Sequence, residues 1–237
     1  MNPGNVVITG ASKGIGKTLA EKFFTAGYNL LLCSRNEKQL SELAKELKLK
    51  TVANTIYFYP ADLSDKKQAR EFGKWVLQQN VAIDILINNA GQFLPGSIYN
   101  EEEDVLERML AINLCSAYHL TRILLPKMMA EKSGHIFNMC SIASLNAYPN
   151  GGSYSISKTA LMAFSKNLRE EMKPYNIKVT SVYPGAVYTS SWEASGLERN
   201  RFMEQGDIAD TIFAASRLSP QACIEDIIIR PQKGDIL

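Results

Sequence analysis

The stretch "NVVITGASKGIG", Asn5 to Gly16, decides the fold. It passes from a short run of branched apolar residues into a glycine-rich turn and then into residues of helical period. A strand, a turn and a helix in that order form the opening half of a βαβ unit. Gly10, Gly14 and Gly16 fall in the turn. Glycine lets the backbone bend tightly there and lets a pyrophosphate approach with no Cβ in the way. The start of the following helix offers free N–H groups and the positive end of its dipole to that phosphate. The spacing differs from G-x-G-x-x-G, because the first gap is three residues and the second is one. Glycines in a strand-to-helix turn can also serve a purely steric need. Their place after the first strand is what favours a dinucleotide.

Outward from this turn the pattern repeats. Strands are expected at 5–9, 29–33, 55–59, 83–88, 135–140, 177–183 and 226–230, and helices near 14–26, 36–48, 64–80, 101–130, 152–173 and 207–216. The strand runs are continuously apolar, as in "NLLLC" and "IDILIN". Such runs are buried on both faces, so the expected architecture is an α/β fold with a doubly wound parallel sheet of about seven strands and helices on each side. No linker, repeat or low-complexity tract divides the 237 residues, and one domain over 1–237 is expected, with a short polar loop near 188–206.

Composition narrows the partners. Lys and Arg number 26 against 24 Asp and Glu, a formal charge of +2, so no basic field is available for nucleic acid. No apolar run reaches the roughly 18 residues of a membrane span, and the first ten residues lack a signal-peptide pattern, which points to the cytoplasm. Cys33, Cys115, Cys140 and Cys223 are scattered without metal-ligand spacing, so free thiols and no metal are expected.

In a doubly wound sheet the ligand sits beyond the carboxyl ends of the strands. The second strand ends "LLLCSRNEK", where an acid would bind the adenosine ribose of NAD; Ser34 and Arg35 stand there instead. Arg35 can grip a 2′-phosphate with its forked donors, and Lys13 can add a second charge, so the expected cofactor is NADP(H). Both are also of a kind found as solvated surface charges.

The segment "SYSISKTA", Ser153 to Ala160, sets Tyr154 and Lys158 four residues apart on one helix face. Alone, such a pair is an ordinary solvent-facing one. Together with "TGASKGIG", "NNAG" at 88–91, Asn113, Ser141 and "YPG" at 183–185, it resembles the short-chain dehydrogenase/reductase family in order and spacing over nearly the whole chain. A second likeness, to bacterial sepiapterin reductase-like members, lies in "PGAVYTSSW" at 184–192, "GDIADTI" at 206–212 and "EDIIIRPQKGDIL" at 225–237.

The resemblance implies a set of roles. Tyr154 is the general acid for carbonyl reduction by hydride transfer, Ser141 holds the substrate oxygen, Lys158 binds the nicotinamide ribose and Asn113 supports a water that returns the proton. The Lys158 ammonium and an oxidised nicotinamide would both lower the Tyr154 pKa from its usual value of about 10. The cofactor set implied is Thr9, Gly10, Ser12, Lys13, Gly14, Ile15, Gly16, Ser34, Arg35, Asp62, Leu63, Asn89, Ala90, Gly91, Tyr154, Lys158, Pro184, Gly185, Val187 and Thr189. Asp62 would contact the adenine amino group; it is equally suited to cap the next helix, a task for which Ser64 competes. Gly91 could instead be a structural turn. Pro184 and Gly185 would wall the nicotinamide, with Val187 and Thr189 at its carboxamide. Tyr148 and Trp192 could stack on a planar substrate such as a pterin, joining Ser141 and Tyr154 at the substrate, or could be packing aromatics.

Expected partners are thus a small-molecule carbonyl substrate and, by resemblance, further copies of the chain in a homodimer or homotetramer. A serine hydrolase is excluded, since the histidines are His119 and His135 and no G-x-S-x-G occurs. The alternatives are a 3-oxoacyl-thioester reductase, which would need a docking patch for its carrier, and a non-catalytic NADP-binding sensor.

Overall fold

The computed structural model describes residues 4–50, 53–189 and 196–236. Seven parallel strands form one sheet: β1 (Asn5–Thr9), β2 (Asn29–Ser34), β3 (Ile56–Pro60), β4 (Ile85–Asn88), β5 (Gly134–Met139), β6 (Ile177–Pro184) and β7 (Asp226–Ile229). Their order across the sheet is β3-β2-β1-β4-β5-β6-β7. The winding reverses between β1 and β4, where Ile8 pairs with Ile87. That reversal opens a crevice beyond the carboxyl ends of both strands, where two chain directions diverge.

Among the described residues, seven α-helices cover the sheet: α1 (Gly14–Thr25), α2 (Glu37–Lys50), α3 (Lys66–Gln78), α4 (Val105–Leu110), α5 (Ser116–Glu131), α6 (Gly152–Met172) and α7 (Gln205–Ser216). Side chains on β1 alternate between two cores, as a strand period of two requires. Val6 and Ile8 pack with Leu19 and Phe23 of α1, Leu40 of α2 and Ile208 and Ile212 of α7. Val7 faces the other layer, with Phe72 and Val76 of α3, Leu120 and Leu124 of α5 and Leu168 of α6. The inner strands β1 and β4 are buried throughout, whereas β3 and β7 at the edges are partly exposed.

Two local features differ from the sequence expectation. The single helix expected over 101–130 begins at Val105 and is interrupted by a π-helical turn, Ala111–Cys115, between α4 and α5. A π turn widens the backbone by one residue and re-aims the side chain it carries, and here it carries Asn113. The cap of α3 is neither Asp62 nor Ser64 but Asp65, whose Oδ1 accepts from the N–H groups of Lys67 (2.6 Å) and Gln68 (3.1 Å). Asp62 instead accepts from the Ser64 N–H (3.0 Å) and hydroxyl (2.7 Å).

Among the described residues, no helix is long and apolar enough to cross a membrane. The four cysteines are free, with Cys33 and Cys140 buried. No group of three or more His, Cys, Asp or Glu among the described residues is placed to hold a metal.

Candidate active site

The glycine turn joins β1 to α1 in a shape that side chains would obstruct. Gly10 (φ +64°) and Gly14 (φ +57°) lie in the left-handed region. A Cβ on Gly16 would stand 2.2 Å from the Gly10 carbonyl oxygen and 2.6 Å from Asn89 Nδ2. The turn is tied to β4 from beneath. Thr9 Oγ1 accepts from the N–H groups of Asn89 and Ala90, both at 2.9 Å, and Asn89 Nδ2 donates to the carbonyls of Thr9 (2.9 Å) and Gly10 (3.2 Å). At the start of α1, Lys13 makes no side-chain cap and the first turn contains no acid. Those N–H groups therefore have no side-chain acceptor at the helix start, the arrangement that fits a phosphate. Ser12 and Ile15 are partly buried in the same turn, Ile15 against the core.

Beyond β2, the Ser34 side chain is buried and its Oγ accepts from the Asn36 N–H at 3.3 Å. Arg35 and Lys13 are exposed and form no ion pair among the described residues. Of the residues after β3, Asp62 is partly buried and Leu63 is in the core, 4% exposed, so Leu63 can meet a ligand only through its backbone.

The four residues proposed for chemistry come from three elements, and two of them, Asn113 and Lys158, meet at Gly91. A Cβ on Gly91 would lie 2.9 Å from Asn113 Oδ1 and 3.2 Å from Lys158 Nζ. Gly91 is therefore a close approach of backbone to Asn113 and Lys158. Asn113 is 1% exposed; its Oδ1 accepts from the Gln92 N–H (2.8 Å), and its Nδ2 donates to the Gln92 carbonyl (3.0 Å) and to Ser157 Oγ (2.9 Å). Lys158 Nζ donates to the Met139 carbonyl at the end of β5 (2.7 Å) and stands 6.0 Å from the centre of the Tyr154 ring. Ser141, two residues after β5, accepts through Oγ from the Ala143 N–H (3.2 Å), and its side chain is near enough to Tyr154 to favour the phenolate.

The chain's own residues set the pair's starting point. Tyr154 is pushed up to about 12, because burial of the phenolate outweighs the favourable influence of Ser141. Lys158 is pushed down to about 8 by its own burial. Its Nζ donates to the Met139 carbonyl. A phenol with this pKa holds its proton throughout the neutral range, which suits it to give a proton to a developing alkoxide.

Around this centre, Pro184 pairs with Ile229, and the Gly185 N–H donates to the Ile229 carbonyl at 2.8 Å, which fixes the wall at the end of β6. Val187 is buried and bridges to Met203. Thr189 reaches the glycine turn: its Cγ2 would lie 3.7 Å from a Cβ on Gly14. Tyr148 is partly buried, its hydroxyl pushed up by burial, and it lies close enough to Tyr154 to raise that residue too. Trp192 lies outside the described residues.

Three neighbours were not foreseen. Phe93 sets its ring edge-on to Tyr154, centres 4.8 Å apart and planes at 75°. Gln92 holds Asn113 from both sides, and Ser157 joins Asn113 to the Tyr154 backbone. Of these only Ser157 left a sequence signal, as a small polar residue three positions after Tyr154 on the same helix.

Comparison with known proteins gives the family of the chain. The family model described as short chain dehydrogenase matches residues 4–200. An uncharacterized oxidoreductase of Staphylococcus epidermidis is 31% identical over 225 residues, 95% of this chain and 96% of the relative. A metagenomic short-chain oxidoreductase solved in complex with NADP is 28% identical, with a TM-score of 0.84 over 97% of each chain. L-Sorbose reductase from Gluconobacter frateurii, solved with NADPH and L-sorbose, is 25% identical, with a TM-score of 0.89 over 98% of this chain and 96% of that one. With its seven-stranded parallel sheet and its match to the family model over most of its length, the chain belongs to the short-chain dehydrogenase family of oxidoreductases.

Proposed function

We propose that the protein is an NADPH-dependent carbonyl reductase acting on a ketone or a vicinal diketone, a pterin such as sepiapterin included, with Tyr154 as proton donor. The observation that carries this reading is that Asn113 and Lys158 close on Gly91 after β4, with Tyr154 tied to Asn113 through Ser157 and Lys158 anchored at the end of β5, two residues before Ser141. The dinucleotide, when bound, supplies the hydride.

The chain's own residues do the rest. The turn from Gly10 to Gly16 and the uncapped start of α1 receive the pyrophosphate, and Lys13 and Arg35 receive the 2′-phosphate. The bare backbone of Gly91 lets Asn113 and Lys158 close on it, and Lys158 Nζ would hold the nicotinamide ribose. Ser141 Oγ donates to the carbonyl oxygen where negative charge develops, and the Tyr154 hydroxyl gives that oxygen its proton. Asn113, with its amide committed to Gln92 and Ser157, keeps the floor in place. Phe93 and Tyr148 give the substrate side an aromatic, uncharged character suited to a flat carbonyl compound. The relatives solved with NADP and NADPH support the choice of cofactor.

The test is loss of NADPH absorbance with sepiapterin, small vicinal diketones and 3-oxoacyl thioesters, with NADH in parallel. Turnover of sepiapterin or diketones with NADPH, abolished in Tyr154→Phe while NADPH still binds, is the expected result. Preference for the thioesters would move the reaction to acyl-chain reduction. Tight NADPH binding with no turnover of any substrate would favour a sensor.

A further inference from the structure

The N-terminus of α6, the turn that carries Tyr154, has no cap of its own. Gly151 at the cap position offers no side chain, and no acid stands in the first turn. The first N–H groups of a helix need acceptors, and a carboxylate there also meets the positive end of the dipole. Glu101 supplies both from 52 residues away: its Oε1 accepts from the Ser153 N–H at 2.9 Å and its Oε2 from the Ser153 hydroxyl.

The seat for this carboxylate is built from glycines. Gly152 adopts φ +25°, and a Cβ on it would stand 2.1 Å from Glu101 Oε1 and 2.5 Å from the Gly96 carbonyl oxygen. A Cβ on Gly96 would stand 2.6 Å from Glu101 Cγ. Two further bonds close the same junction, from the Gly96 N–H to the Asn150 carbonyl (3.1 Å) and from Ser97 Oγ to Asn150 Oδ1 (2.9 Å).

The other end of the segment from Gly91 to Glu101 is inside the active site. Gly91 lies against Asn113 and Lys158, Gln92 is bonded twice to Asn113, and Phe93 rests on the Tyr154 ring. The segment thus touches the tyrosine directly through Phe93 and indirectly through Ser153, its neighbour in sequence. We infer that Glu101 is a positioning residue for Tyr154: its carboxylate clamps the segment after β4 to the first turn of α6 and so sets where the phenol stands relative to Ser141.

This inference rests on the reading of Tyr154 as proton donor. A catalytic group displaced by about 1 Å loses on the order of 100-fold in rate, so the clamp acts on turnover and not on cofactor binding. The test uses the full chain with NADPH and the fastest substrate of the carbonyl panel, comparing Glu101→Ala, Glu101→Asp and Glu101→Gln. Glu101→Ala is expected to lower kcat about 10-fold or more, with the KM for NADPH within about twofold of the parent. Glu101→Asp, which retracts the carboxylate by one methylene, should give a smaller loss of the same kind and serves if the alanine variant does not fold. Glu101→Gln keeps an acceptor for the Ser153 N–H and should recover most of the rate.

Parent-like kcat in both Glu101→Ala and Glu101→Asp overturns the inference, as does a loss that falls on the KM for NADPH, or a glutamine variant as slow as the alanine one. Retained turnover in Tyr154→Phe, or no turnover of any panel member by the parent, instead removes the reading beneath it.

Discussion

Asn113 Nδ2 donates to Ser157 Oγ at 2.9 Å, and the Ser157 hydroxyl donates onward to the Tyr154 carbonyl at 2.8 Å. The π turn that carries Asn113 is thereby fastened to the helix that carries the phenol. Both side chains are essentially inaccessible to solvent. Ser157→Ala removes the acceptor from one buried amide hydrogen of Asn113. Such a loss costs about 1–3 kcal/mol, so urea unfolding should show a stability decrease in that range. A stability equal to the parent's would mean that Asn113 finds another acceptor and that the bond does not hold the two elements together.

Arg35→Asp should weaken NADPH far more than NADH. Ser34 is buried with its hydroxyl engaged by Asn36, which leaves the exposed Arg35 and Lys13 as the cations at the end of β2 and in the glycine turn. A charge-assisted contact to phosphate contributes roughly 1.5–3 kcal/mol, so the Kd for NADPH should rise about 10- to 100-fold, with that for NADH changing much less. Fluorescence titration of both nucleotides measures the ratio. Equal losses would assign Arg35 a structural role.

The sheet was legible in the sequence because strands buried on both faces read as unbroken apolar runs, and all seven lie within two residues of their expected ends. The glycine turn and the tyrosine-lysine spacing were legible for a similar reason, since each is a local pattern. What escaped notice depends on contacts between distant residues. Asp62, Ser64 and Asp65 are all good caps, and only the extended backbone of Asp65 (φ −82°, ψ 116°) decided among them. Nothing in "LAINLCSAY" distinguishes a π turn from an α-helix. The bond between Glu101 and Ser153 spans 52 residues and has no period. The burial that raises Tyr154 within the chain is likewise set by distant residues, which the i to i+4 spacing does not encode.

Gly16→Ala should be the more damaging of two changes in the glycine turn. Its Cβ would meet backbone, the Gly10 carbonyl oxygen at 2.2 Å, which cannot step aside as a flexible side chain could. At Gly14 an added Cβ has only Thr189 Cγ2 nearby at 3.7 Å, an ordinary contact, and the cost is the left-handed φ, roughly 1 kcal/mol. Gly14→Ala is therefore expected to fold and to bind NADPH more weakly, whereas Gly16→Ala should lose NADPH binding with a marked fall in Tm. The reverse order would mean that the turn is shaped by the dinucleotide more than by its own packing.

His135 governs part of the acid limb of stability. It is 4% exposed in β5, stacked on Phe137 with ring centres 3.9 Å apart, and its Nε2 is 2.7 Å from Thr180 Oγ1. The Thr180 hydroxyl donates to the Ile224 carbonyl, so it accepts from His135, and Nδ1 is the unprotonated nitrogen with no partner among the described residues. Protonating Nδ1 would bury an unpaired charge, and burial, with Lys178 and Arg169 adding to it, holds the imidazole down at about 3. The folded pKa is below the unfolded value of about 6.5, so between pH 6.5 and 3 the unfolded chain binds the extra proton. Stability from this group is therefore complete above pH 6.5 and falls by about 1.4 kcal/mol per pH unit below it. His135→Leu removes that dependence while leaving the Thr180 bond to Ile224. Between pH 7 and pH 5, urea unfolding should show the parent losing about 2 kcal/mol more than the variant. Equal losses would place the acid sensitivity in the carboxylates instead.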